Sequence, residues 1–174
     1  MNIIGCVTSM KSRVPVKLYK PTKWFHQVTE IQKQPDSSEN IRGDLIPGSL
    51  VLRHVDSGSC NGCEIEISGC FSPTYDLESY GISLTASPRH SDGLLVTGVV
   101  TVNMREALQE AYSSVPEPKV VVALGDCAIN CNGLRSGYGV AAAVPDLLPV
   151  DLEIPGCPPS PTKIIQSLRT VSKR

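Results

Sequence analysis

The order of apolar runs and helical stretches in this chain predicts an α/β fold, a parallel sheet with helices on both faces. Three observations carry that expectation. From Ser49 onward, short apolar runs alternate with segments of helical spacing. The run Val120-Val121-Val122-Ala123-Leu124 is apolar at every position, as in a strand covered on both sides. Three cysteine-bearing loops each directly follow an apolar run, and loops after parallel strands gather beyond one edge of the sheet, where ligands bind.

Two regions follow from composition. Residues 1–47 carry Lys11, Arg13, Lys17, Lys20 and Lys23 with no acid before Glu30, and Pro15, Pro21, Pro35 and Pro47 break any long helix. They read as an extended amino-terminal arm. Ile3, Ile4, Val14, Val16, Leu18, Trp24 and Phe25 give it apolar handholds for a partner subunit or for its own domain. Residues 48–174 hold the α/β domain. Ser49 to Val55 predicts its first strand, and Asn61 to about Phe71 a helix. Leu94-Leu95-Val96, between Gly93 and Gly98, predicts a short buried strand. Thr101 reads as a helix cap, followed by Met104, Ala107, Leu108, Ala111 and Tyr112 on one helical face until Pro116 and Pro118 stop the helix. Lys119 to Leu124 and Leu148 to Ile154 predict two more strands. Ile164, Ile165 and Leu168 mark a closing helix.

The chain has 174 residues, enough for one domain with a real core. A net charge of −1 gives no reason to expect nucleic acid as a partner. No apolar run approaches the roughly 20 residues that span a bilayer, and the start, Met1 to Arg13, lacks a secretory signal's apolar stretch. The expected compartment is the cytoplasm, where thiols stay reduced. The 7 cysteines are an odd number, so they cannot all pair within one chain.

Four of them sit where turns bring them to one point: Cys60 and Cys63 in Ser59-Cys60-Asn61-Gly62-Cys63-Glu64, Cys127 in Gly125-Asp126-Cys127-Ala128, and Cys157 in Pro155-Gly156-Cys157-Pro158-Pro159. Four convergent thiolates hold an iron–sulfur cluster or a zinc ion. Zinc sites usually use two C-x-x-C pairs. Here one pair meets two single cysteines spread over an α/β domain, which favours a cluster, with zinc and unrelated buried thiols as the alternatives. Gly58 and Gly62 are expected to shape the first turn and let backbone N–H groups approach sulfur. The following helix would point its positive end at an anionic group. Cys70 reads as a small buried hydrophobe, and Cys6 lies alone in the arm. Cys131, four residues beyond Cys127, is a competing ligand, ranked second because Cys127 is closer to the strand end.

These motifs, with Ala-Ser-Pro-Arg-His-Ser-Asp at 86–92 and Val-Thr-Gly-Val-Val-Thr-Val-Asn-Met at 96–104, give the chain a resemblance. Over roughly Leu50 to Thr170 it resembles the small cluster-bearing subunit shared by respiratory complex I, where it is the 20-kDa subunit, and membrane-bound nickel–iron hydrogenases. In complex I subunits the first two cysteines are adjacent. Here Asn61-Gly62 separates them, as in hydrogenases, and Val-Thr-Val-Asn-Met also looks like the hydrogenase branch, which includes formate hydrogenlyase. Cys131 stands where glycine is commoner in the family.

The resemblance implies a flavodoxin-like sheet and one 4Fe–4S cluster on Cys60, Cys63, Cys127 and Cys157. It implies an electron-transfer subunit that does no bond chemistry alone, beside a large subunit whose nickel–iron site handles dihydrogen. A ferredoxin-like subunit and integral membrane subunits would be its other partners, and its place would be the inner face of the cell membrane. The alternatives are a cluster subunit of a quinone-reducing, complex I-like oxidoreductase and a zinc structural module held by the same four cysteines. Glu64 and Glu66, beside the ligands, are expected to lower a cluster's potential if ionised and near. Glu64 is a candidate proton-relay or interface residue, against the plainer alternative of a solvated acid at a helix start. By the resemblance, the Arg89–His90 loop faces the large subunit near the cluster. The plainer alternative is an exposed basic pair. His54 and His26 read as structural, and Asp126 as a turn former.

Overall fold

The computed structural model describes residues 48–172. The arm expected for 1–47, with Cys6 and His26, lies outside the described residues. A strand β1 (Leu50–Asp56) leads into helix α1 (Gly62–Cys70). Then come β2 (Ile82–Leu84), β3 (Gly93–Thr97), a short β4 (Val100–Thr101), α2 (Arg105–Ser114), β5 (Val120–Leu124), α3 (Asp126–Asn130), β6 (Val140–Ala142), β7 (Leu152–Ile154) and α4 (Pro161–Ser172). The main sheet has the order β2-β1-β3-β5-β7, and every neighbouring pair in it is parallel. Counting only its own strands, that is the 2-1-3-4-5 order of flavodoxin-like folds. β4 and β6 form a separate antiparallel pair.

Side chains on a strand alternate between the two faces of the sheet, and both faces are buried here. Leu50, Leu52, Leu95, Val122, Leu124 and Ile154 pack with Ile67 and Cys70 of α1 and with Ile164, Ile165 and Leu168 of α4. Val55, Leu94, Val96, Val121 and Ala123 pack on the other side with Leu108 of α2 and Ala128 of α3. Burying each such Leu or Val contributes about 1.5–3 kcal/mol before entropy is counted. These two layers account for the lack of alternation in the β3 and β5 sequences.

The register does the positioning. Asp56 pairs with Thr97, Thr97 with Leu124, and Leu124 with Ile154. The last residues of four strands thus stand in one row, and Cys60, Cys127 and Cys157 follow three of those ends by four, three and three residues.

Several expectations need correction. Thr101 does not cap α2: it belongs to β4, its hydroxyl donates to the Ser57 carbonyl at 3.1 Å, and the helix begins only at Arg105. Leu108 is fully buried, with Met104, Ala111 and Tyr112 packed beside it, but Ala107 points to solvent. The last strand is shorter than Leu148–Ile154. Leu148 packs beyond its start, and the Asp151 carboxylate accepts from the Val121 N–H at 2.9 Å, so pairing begins at Leu152. β2, β4 and β6 were not anticipated: each spans two or three residues, too few to show a period. At the stop of α2, the expectation and the structure agree. Val115, next to Pro116, turns extended with ψ 128°, as a residue before proline must.

Candidate metal centre

The turn after β1 is fastened before it reaches its first cysteine. The Asp56 carboxylate accepts from the N–H groups of Gly58 at 2.9 Å and Ser59 at 2.8 Å. Fully buried Ser57 donates from its hydroxyl to the Thr97 carbonyl at 2.8 Å. The left-handed residue of the Cys60–Cys63 turn is Asn61, at φ 69°, and not Gly62, which already belongs to α1. Asn and Gly are the residues that enter this region at least cost.

The loops after β5 and β7 are joined to each other. Asp126 donates its backbone N–H to the Gly156 carbonyl at 3.0 Å, and its carboxylate accepts from the Gly156 N–H at 2.8 Å. Asp126 is therefore more than a turn former, because this two-point clamp sets Cys127 against Cys157. Gly125, at φ 89°, admits Cys63 from the side: a Cβ there would stand 2.7 Å from the Cys63 sulfur.

Together these loops form one open recess, about 330 Å³ counting space open to solvent, lined by Cys60, Cys63, Cys127 and Cys157 with Ser59, Gly62, Gly98, Asp126, Gly156 and Pro158. Cys60 and Cys157 are exposed, and Cys63 and Cys127 are half-buried. Burial pushes the Cys63 thiol up to about 12, and Glu64, Cys127, Cys60 and Cys157 add to the push. Burial also raises Cys127, with Cys157, Cys60 and Asp126 acting in the same direction and a hydrogen bond from Asn132 opposing them. Cys63 and Cys127 thus favour the neutral thiol unless positive charge sits beside them. Among the described residues, no three Cys, His, Asp or Glu side chains are grouped tightly enough to grip one metal ion.

Cys131 does not line the recess. It is fully buried with Val99 and Ala143, at φ 66°, in a cluster against which Cys127 packs from the recess side. Cys70 is buried on the far end of α1, its thiol raised to about 11 by burial first and Glu66 second. Arg89 and His90 are exposed in a helical turn, Pro88–His90, that precedes β3, and they contribute nothing to the recess lining.

Glu64 is not a solvated acid: its side chain is only 16% exposed. One carboxylate oxygen accepts from the hydroxyl of buried Thr97 and lies 3.6 Å from the His54 Nε2, and the other is buried with no hydrogen-bond partner among the described residues. His54 Nε2 is in turn 3.0 Å from the Thr97 hydroxyl. Desolvation lowers the His54 pKa against the opposing pull of Glu64 and Asp56, with Arg53 also lowering it. Only Glu64 was visible in the sequence as a candidate. Thr97 stands in the 96–104 motif, but nothing there pointed to a contact with Glu64; β3 pairing is what brings it under α1.

The comparisons agree with this architecture. Residues 60–171 match the family described as "NADH ubiquinone oxidoreductase, 20 Kd subunit". The chain is 44% identical over 115 residues to the probable membrane-bound hydrogenase subunit mbhJ of Pyrococcus furiosus, covering 66% of this chain and 69% of that one. It is 44% identical over 116 residues to formate hydrogenlyase subunit 7 of Escherichia coli, covering 67% of this chain and 46% of that one. Among solved structures it is similar to a chain of the membrane-bound sulfane sulfur reductase, an archaeal respiratory membrane complex, with TM-score 0.62 and 32% identity over 72% of this chain and 69% of that one. The family match and these relatives make the chain a component of the oxidoreductase-complex type. The chain belongs to the family of the 20 kDa subunit of NADH–ubiquinone oxidoreductase, which includes relatives named as hydrogenase subunits. Among the described residues, no helix is long and apolar enough to cross a membrane.

Proposed function

We propose that this chain is an electron-transfer subunit carrying one 4Fe–4S cluster on Cys60, Cys63, Cys127 and Cys157, next to the nickel–iron site of a partner large subunit in a membrane-associated hydrogenase complex. The observation that carries this reading is the recess: four thiols from three strand-end loops border one space. One C-x-x-C pair with two single cysteines spread over an α/β domain favours a cluster over zinc, whose sites usually use two such pairs. The hydrogenase assignment is supported by the 44% identity to two hydrogenase-complex subunits and by the Cys60-Asn61-Gly62-Cys63 spacing.

When bound, a 4Fe–4S cluster supplies a reversible electron couple. The chain's own residues set its surroundings. Asp56 and the Asp126–Gly156 clamp fix where the sulfurs stand. Gly125 lets Cys63 approach. Glu64, largely buried and held by Thr97, places a carboxylate beside Cys63, where it acts on the potential and is positioned to hold a proton. A ferredoxin-like subunit and integral membrane subunits are the further proposed partners, on the inner face of the cell membrane. The similarity to a sulfane sulfur reductase chain favours one second reading, a respiratory membrane complex with other chemistry in its large subunit.

Anaerobic purification of the native complex tests this. Iron and sulfide in the chain with nickel in a co-purifying large subunit support the hydrogenase reading. Iron and sulfide without nickel support the second, and zinc without sulfide overturns both.

A further inference from the structure

Resting on the cluster reading, one residue beyond the four cysteines reaches the sulfurs. The segment Asn130-Cys131-Asn132 is wound against preference: Cys131 has φ 66° and Asn132 φ 40°, two successive non-glycine residues in the left-handed region. Such a backbone costs on the order of 1 kcal/mol or more per residue and persists only where its surroundings hold it. Here the Asn130 side chain accepts from the Asn132 N–H at 2.8 Å, the Leu134 N–H donates to the Cys131 carbonyl at 2.7 Å, and the Cys131 side chain anchors the turn between Val99 and Ala143. The consequence is that the Asn132 side-chain amide lies 3.5 Å from the Cys157 sulfur and donates to it. The same amide opposes the upward push on Cys127. No other side-chain donor among the described residues makes a hydrogen bond to any of the four sulfurs.

We propose that Asn132 is a positioning residue for the cluster site: its amide, set by the Cys131–Asn132 turn, donates to the Cys157 sulfur and raises the potential of the cluster that this sulfur helps to hold. The reason is electrostatic. An N–H group aimed at sulfur stabilises the more negative, reduced state over the oxidised one. A plain turn-forming role competes with this, because asparagine also tolerates left-handed backbone. The two are separable, since glycine keeps the turn and removes the amide.

The test is the midpoint potential of the cluster, followed by EPR in anaerobically purified native complex, together with iron per chain. Iron-free wild-type protein would sink the cluster reading itself, independently of Asn132. With iron present, Asn132→Gly is expected to keep full iron. At the wild-type midpoint its reduced-to-oxidised ratio is expected to fall by roughly two- to tenfold, the size of one hydrogen bond; tenfold is about 59 mV for one electron. An unchanged or raised potential overturns the proposal. If the glycine variant does not load, Asn132→Asp decides. It keeps the shape and the left-handed tolerance but places a negative charge at sulfur, so a loaded aspartate variant is expected to lie below wild type. A loaded aspartate variant at the wild-type potential overturns the proposal, and so does loss of iron from both variants.

Discussion

Gly125 and Cys63 belong to loops after different strands, yet a single added carbon on the first would stand 2.7 Å from the sulfur of the second. Gly125 is also held at φ 89° and ψ 155°, a region almost closed to other residues. Gly125→Ala is therefore expected to fail twice, by strain of about 1–3 kcal/mol and by displacing Cys63. Iron per chain after anaerobic purification is expected to fall well below wild type, with a lowered melting temperature. Full iron and an unchanged melting temperature would show that the cradle is looser than the geometry states.

The choice of ligands is open to direct substitution. Cys60→Ala, Cys63→Ala, Cys127→Ala and Cys157→Ala are each expected to lose most of the iron, because each removes a thiol from the recess. Cys131→Ala is expected to keep it, since that thiol is fully buried and does not line the recess. Iron analysis of the five variants checks this, and a reversal between Cys127 and Cys131 would move the ligand to the competing position.

Glu64→Gln keeps an oxygen for the Thr97 hydroxyl and removes a charge beside Cys63. Removing that charge is expected to raise the cluster's potential by the equivalent of about 1 kcal/mol, roughly fivefold in the reduced-to-oxidised ratio. If Glu64 also passes protons, turnover of the complex falls with it. Potential and turnover both equal to wild type would return Glu64 to a purely structural role.

His54 gives a pH dependence of definite sign. Burial holds its folded-state pKa below the ordinary 6.5, so below that value the unfolded chain binds more protons than the folded one. Its contribution to stability is complete above pH 6.5 and is lost as pH falls through the folded value. His54→Asn is expected to show a shallower loss of melting temperature than wild type as pH falls below about 6.5. Parallel profiles for the two proteins would contradict it.

Much of this was legible because the informative residues are local and repeated. The uniform apolarity of Val120–Leu124 announced a strand buried on both faces. Cysteines placed just after apolar runs announced a shared edge, which the row Asp56, Thr97, Leu124 and Ile154 realises. What stayed hidden depends on pairing across the chain. Ile82-Ser83-Leu84 is a strand only because β1 offers it an edge. Thr97 looked like the end of an apolar run, and nothing in it announced contact with Glu64 and His54. Asp126 read as a turn former because its partner, Gly156, is 30 residues away. Asn132 gave no sign at all, since its reach to Cys157 depends on two left-handed residues that neither composition nor period reveals.

The most direct measurement is metal and acid-labile sulfide analysis, with EPR of the reduced state, on the complex purified without oxygen. About four iron atoms and as many sulfides per chain, with a signal that appears on reduction, are expected for a 4Fe–4S cluster. One zinc per chain, no sulfide and no signal on reduction would contradict the central claim.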